Sequence, residues 1–135
     1  MSSLWYDATV EASVNAVTAL LNSGTLKIYT GSQPALDGSL TGTLLVTLTF
    51  GATAFAASSA STGTVTATAN AITSGTAGNT GTAGYFALVT SGSATVLTGT
   101  VGTSGADLNL SSTSITSGAT ISCSSFTITQ SQTGS

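Results

Sequence analysis

Thr43-Leu44-Leu45-Val46-Thr47-Leu48-Thr49-Phe50 sets Leu44, Val46, Leu48 and Phe50 on one side of an extended chain and Leu45, Thr47 and Thr49 on the other. Successive side chains of a strand point to opposite faces, so this alternation predicts a strand with one face in a core. The same period of two governs Thr25 to Thr30, where Leu26 and Ile28 alternate with Lys27 and Tyr29. A loop that carries Pro34 and ends on the turn dipeptide Asp37-Gly38 joins the two segments.

Downstream, Ser58 to Gly63 has loop composition, and Thr64 to Ile72 resumes alternation with Val65, Ala67, Ala69 and Ala71 on one side. Side chains that small predict close approach of another sheet or of a neighbouring chain. Ser74 to Gly84 is Gly-rich and reads as a long exposed loop. Tyr85 to Thr90 and Ala94 to Val101 read as a hairpin about Ser91-Gly92-Ser93, since a short Gly-bearing connector joins two β-rich runs. Leu108, Leu110 and Ile115 follow, then a turn at Gly118 and a last strand. In that strand Ile121 and Cys123 share one parity and Phe126 and Ile128 the other, which places a bulge near Ser124-Ser125. Beyond Thr129 no apolar side chain remains, and the tail is expected to be loose.

Upstream, the period is helical. Val10, Val14, Val17 and Leu21 recur at spacings of four, three and four, one stripe of a helix over residues 9 to 23. Asp7 is the expected N-cap and Glu11 sits near the positive end of the dipole. Gly24 is placed to stop the helix in a left-handed conformation. Trp5 and Tyr6 just precede it, positioned for a core or an interface.

These elements describe a mainly β fold: an antiparallel β-sandwich with one short N-terminal α-helix, a jelly roll being one arrangement and an up-and-down barrel the alternative. One domain over residues 1–130 with a loose tail over 131–135 suits the size. A chain of 135 residues buries roughly two thirds of its extended surface, enough for a core without metals or disulfides.

Composition narrows the chemistry. The chain has one Lys, no His, four acidic residues and a net charge of −3; charged residues are 4 % of it, against roughly a quarter in an ordinary soluble domain. Apolar residues reach 41 %, which separates it from disordered Gly/Ser/Thr sequences. Cys123 stands alone and reads as a small buried side chain rather than half of an interchain bridge. No apolar run approaches the roughly eighteen residues of a membrane span, and no Lys/Arg cluster marks a signal peptide.

The candidate motifs each have a plainer reading. Gly75 to Gly84 and Gly99 to Gly105 lack the Gly-Lys-Ser/Thr ending of a phosphate loop and open no predicted helix. Asp7, Glu11, Asp37 and Asp107 are too scattered for a calcium loop. Serine nucleophiles would have Lys27 as their base, and Lys27 could instead join an Asn in an isopeptide bond; a solvent-facing strand lysine that discourages edge pairing is the preferred reading. The Thr-x-Thr phrases at Thr47, Thr64, Thr98 and Thr127 could bind ice if aligned, but their irregular spacing does not build a solenoid. Without basic residues no nucleic-acid platform is expected.

Four stretches resemble a group of small structural proteins of tailed phages and prophages. They are Ala19-Leu-Leu-Asn-Ser-Gly-Thr-Leu-Lys-Ile-Tyr-Thr-Gly-Ser-Gln-Pro-Ala35, Gly42 to Leu48, Ala69 to Ser74 and Leu97 to Leu110. The likeness spans most of the chain and rests on Gly/Thr phrases, with no catalytic signature. The resemblance implies a basic residue where this chain has Ala87 and an acidic one where it has Thr98, so a shared electrostatic contact is not carried over. Its implied function is that of a capsid decoration or cement protein. Copies, as trimers, would straddle junctions between major capsid proteins in the virion after synthesis in the host cytoplasm. On this expectation the chain is no enzyme, has no catalytic, cofactor-binding or metal-binding residue and needs no cofactor, nucleic acid or membrane. A tail, neck or fibre-associated protein is the nearest alternative, and a carbohydrate- or ice-binding module a more distant one.

Overall fold

The computed structural model describes residues 7–35, 38–56, 59–61, 64–106, 108–110, 112–123 and 126–131. Among these described residues, one helix, α1 (Asp7–Leu20), precedes twelve strands: β1 (Thr25–Thr30), β2 (Leu44–Phe50), β3 (Ser59–Ser61), β4 (Thr64–Thr68), β5 (Ile72–Thr73), β6 (Gly75–Thr76), β7 (Gly81–Val89), β8 (Thr95–Gly102), β9 (Leu108–Asn109), β10 (Ser114–Ile115), β11 (Thr120–Ile121) and β12 (Thr127–Ser131). The fold is mainly β, with a curled, antiparallel-rich sheet.

That sheet runs β5-β2-β1-β7-β8-β9, with β10 also on β7; each pairing is antiparallel except the short β8–β9 contact. Its register builds rows across the strands. Leu48, Leu26, Leu88 and Leu97 form one row, and Val46, Ile28, Phe86 and Gly99 the next, both on one face. Between them in sequence, Thr47, Lys27, Ala87 and Thr98 make a row on the opposite face. Leu26, Ile28, Leu48 and Leu88 are fully buried, each worth roughly 1.5–3 kcal/mol by removal from water.

The apolar rows meet a smaller sheet, β12-β4-β3. Four rings span the gap. Phe86 on β7 meets Phe126 edge to face at 5.3 Å, Phe126 meets Phe55 at 6.0 Å, and Phe55 meets Phe50 on β2 at 5.5 Å. Val65 and Ala67 of β4 belong to the same core, and α1 lies against β3 and β4, contributing Val14. The close neighbour that the small residues of β4 admit is therefore this chain's own helix.

Helix termination differs from expectation. The last bonds of α1 tighten, with Leu21 N–H on the Thr18 carbonyl at 3.0 Å, and Ser23, not Gly24, takes the left-handed conformation at φ 60. Ser23 N–H donates to the Gly51 carbonyl at 2.8 Å, and Asn22 Oδ1 accepts Ala54 N–H at 2.9 Å, tying the helix end to the loop after β2. Gly24 is needed for a different reason: a Cβ there would stand 2.4 Å from the Val89 carbonyl oxygen. Asp7 is already helical rather than flanking the helix, so it is not the N-cap. Of the helical stripe, Val14 and Leu21 are buried and Val17 partly so; the side chain of Val10 lies outside the described residues, as do Trp5 and Tyr6.

Further readings change. Ser59–Ser61 is a strand on β4 and not a loop. The Gly-rich Ser74 to Gly84 supplies β6 and the first residues of β7. Pairing continues to Ser131, opposite Thr64, two residues past the expected end of the last strand. The single last strand expected across Ile121 to Ile128 is instead two, β11 paired with β6 and β12 paired with β4 in a different sheet, so the two parities belong to separate strands. Cys123 and Phe126 are both buried, and Ser124-Ser125, where a bulge is expected, lie outside the described residues.

Candidate functional site

The side of the main sheet opposite the core carries a strap. The segment after β1 leaves at Gly31, crosses the sheet and returns to β2, with Thr30 N–H on the Thr43 carbonyl at 3.0 Å and Thr43 N–H on Thr30 Oγ1 at 2.9 Å closing its base. Tyr85 of β7, fully buried, fixes its far side: the phenol donates to the Thr41 carbonyl at 2.5 Å and accepts Thr41 N–H at 2.9 Å. Tyr29 stacks on that ring at 5.2 Å. Burial first, and the neighbouring Tyr85 second, push the Tyr29 phenol above its ordinary range.

At the tip of the strap, Gln33 Nε2 donates to both the Thr98 carbonyl at 3.1 Å and Thr98 Oγ1 at 3.0 Å. A groove of about 540 Å³ lies between strap and sheet, lined by Gln33, Pro34, Ala35, Gly38 and Thr95 to Thr98. A second, of about 390 Å³, opens on the core side of β8 beside β12, lined by Phe86, Leu97, Ala106, Phe126 and Ile128 with threonines at its rim. Leu97 and Thr98 border both. Leu97 is one of two large apolar side chains exposed among the described residues, at 38 %.

Both volumes fall in the range of small-molecule sites, roughly 300–1,000 Å³, yet the described residues of their linings include no acid, base or thiol. What such walls offer is hydrogen bonding from hydroxyl, amide and backbone groups, and apolar contact. Proton transfer by an acid or base side chain has no carrier among these described lining residues.

The sequence candidates are dispersed. Lys27 lies on β1, which is paired on both sides, so it does not guard an edge; its cross-strand neighbours are Thr47 and Ala87. Neither is a Ser or an Asn, so the register supplies neither partner that the Ser–Lys or isopeptide readings require there. Cys123 is buried. Glu11 lies on α1, the side chain of Asp7 is outside the description, and Asp37 and Asp107 fall on undescribed residues. No group of three or more His, Cys, Asp or Glu that could hold a metal occurs among the described residues, and no described helix is long and apolar enough to cross a membrane. Ala87 and Thr98, the two positions where the resemblance implies opposite charges, are direct register partners.

Sequence reading missed Gln33, Leu97 and Tyr85 as surface-shaping residues. A signal existed for Leu97 alone, a leucine near the middle of an edge-proximal strand. Two of the four threonine phrases, those at Thr64 and Thr127, are brought into register on the small sheet, with Thr127 opposite Thr68 and Thr129 opposite Thr66; the other two lie on β2 and β8 of the main sheet. Comparison of the chain with known protein families, with curated proteins and with solved structures finds no match in any of the three.

Proposed function

We propose that this chain is a structural protein of a tailed-phage particle, a capsid decoration or cement protein. The observation that carries the reading is chemical poverty joined to a β-rich framework: 4 % charged residues overall, and two grooves whose described lining residues offer apolar contact and hydrogen bonds. The resemblance of Ala19 to Ala35 and Leu97 to Leu110 to phage structural proteins supplies the particle.

The finer fold belongs to the same proposal. The main sheet and β12-β4-β3, joined through Phe86, Phe126, Phe55 and Phe50, make the two layers of an antiparallel β-sandwich, with a jelly roll as one possible winding. Function follows from packing. Copies associate with one another and with the major capsid protein, so that opening the shell requires separating additional buried surface, at roughly 25 cal/mol per Å² of apolar area. With little charge involved, that contact should respond weakly to salt.

Quantitative mass spectrometry of purified particles tests the placement. A decoration protein occurs in numbers comparable with the major capsid protein, whereas a tail or neck protein, the alternative reading, occurs as one or a few rings. Absence from particles ends both. A carbohydrate- or ice-binding module would instead show ligand-dependent thermal stabilisation or altered ice growth in the isolated protein.

A further inference from the structure

The edges of this fold are unevenly protected. Strands at a sheet edge present unpaired N–H and C=O groups, and proteins blunt them with shortness, bulges, charges, proline or a covering segment. On the main sheet, β5 and β9 are two residues long. The β8 strand shifts register opposite Leu88/Val89, is paired by β9 at Val101 and Gly102, and has its Thr98 carbonyl occupied by Gln33. On the small sheet, β3 is three residues long and lies against α1.

Among the described residues, the β12 strand has none of these devices. Its five residues Thr127 to Ser131 pair with β4 without a register shift, and no described strand lies on its other side. Phe126 accepts Ala69 N–H at 2.8 Å, which fixes the alternation: Phe126, Ile128 and Gln130 face β4, while Thr127, Thr129 and Ser131 turn their backbone groups outward. The strand carries neither charge nor proline. Beside it runs the 390 Å³ groove with the exposed Leu97.

We infer that β12 is a self-association edge, pairing antiparallel with β12 of a second copy about a two-fold axis at Thr129. The outward residues are spaced so that Thr127 of one copy meets Ser131 of the other and Thr129 meets Thr129. Each of these three positions then exchanges a pair of backbone hydrogen bonds. A second copy is the occupant because the edge is its own complement in this register and carries no charge to repel an identical strand. The contact joins two three-stranded sheets into one of six and places the partner chain beside the apolar groove, where alternate side chains can be received. It deepens the assembly reading above and rests on it for the presence of a second copy; being two-fold, it is distinct from a trimer contact.

Sedimentation analysis of the full chain across a concentration series, with Thr129→Pro and Thr129→Cys, tests it. The Thr129 N–H faces away from β4, so proline there spares the β4 ladder. The wild type should form dimers, and Thr129→Pro should weaken association by about tenfold or more. Thr129→Cys should give a disulfide-linked dimer on mild oxidation, because opposed residues in a hydrogen-bonded pair stand about 5.5 Å apart at Cα, within disulfide reach. The wild type and Thr49→Cys, an exposed site on the other sheet, should not. If the proline variant fails to fold, the cysteine pair decides. A monomeric wild type, or an oligomer of any order that Thr129→Pro leaves intact and Thr129→Cys does not crosslink, overturns the proposal. A monomer that is nonetheless counted in particles sinks this edge and leaves the virion reading standing.

Discussion

Tyr85 grips Thr41 by both backbone groups, 44 residues back along the chain, through a phenol that donates at 2.5 Å and accepts at 2.9 Å. One buried side chain thereby holds the strap over the sheet. Tyr85→Phe keeps the ring and its stack on Tyr29 but removes both bonds. The expected loss is roughly 1–2 kcal/mol in a denaturant titration, with faster hydrogen exchange at the Thr41 amide; an unchanged exchange rate would show that the phenol does not hold the strap.

Phe126 touches two of the other three rings that link the sheets. Truncation to alanine should cost roughly 3–5 kcal/mol, since the two layers cannot both close onto the vacancy. Leu97→Ala, at an exposed position, should cost well under half of that. Equal losses in thermal or chemical denaturation would mean that the rings are not the joint between the sheets.

At Gly84 a Cβ would be built 1.8 Å from the Gly31 carbonyl oxygen, a backbone atom that cannot swing aside. Gly84→Ala must therefore displace the root of the strap, and a destabilisation of roughly 1–3 kcal/mol is expected. Gly78→Ala, where nothing lies within 4 Å, should stay within about 0.5 kcal/mol of wild type.

The raised Tyr29 phenol gives an alkaline dependence. Below the unfolded tyrosine value, about 10, both states hold the proton and the folded state carries no penalty. As pH rises past that value the unfolded chain ionises first, so stability falls until Tyr29 ionises in the folded protein as well. Tyr29→Phe should flatten that part of the stability profile, measured by urea titrations across the alkaline range. A profile that Tyr29→Phe leaves unchanged would assign the dependence to another group.

Alternation at Leu26 and Ile28 and at Val46, Leu48 and Phe50 was enough to read β1 and β2, because a half-buried strand writes its burial into every second residue. The Ser91-Gly92-Ser93 hairpin was legible for a similar local reason. Gly81 to Gly84 was not: glycine carries no strand preference, and its use here is set by Gly31 passing overhead, a contact between distant segments. Lys27 was misread as an edge guard because a strand's own residues do not name its neighbours, and β7 arrives from far along the chain. The missed surface residues share that cause. Gln33 matters through Thr98, 65 positions away, and Tyr85 through Thr41.

The pairing of Thr64 with Ser131 has a consequence for biosynthesis. While the ribosome is still adding residues before Phe126, β4 has one short neighbour and the aromatic bridge lacks a member, so the nascent chain emerges with an unclosed apolar surface. Closure waits for β12. Folding should accordingly be slow, as for topologies dominated by distant contacts, and translation pauses ahead of residue 126 would lengthen the interval in which nascent chains stick to one another.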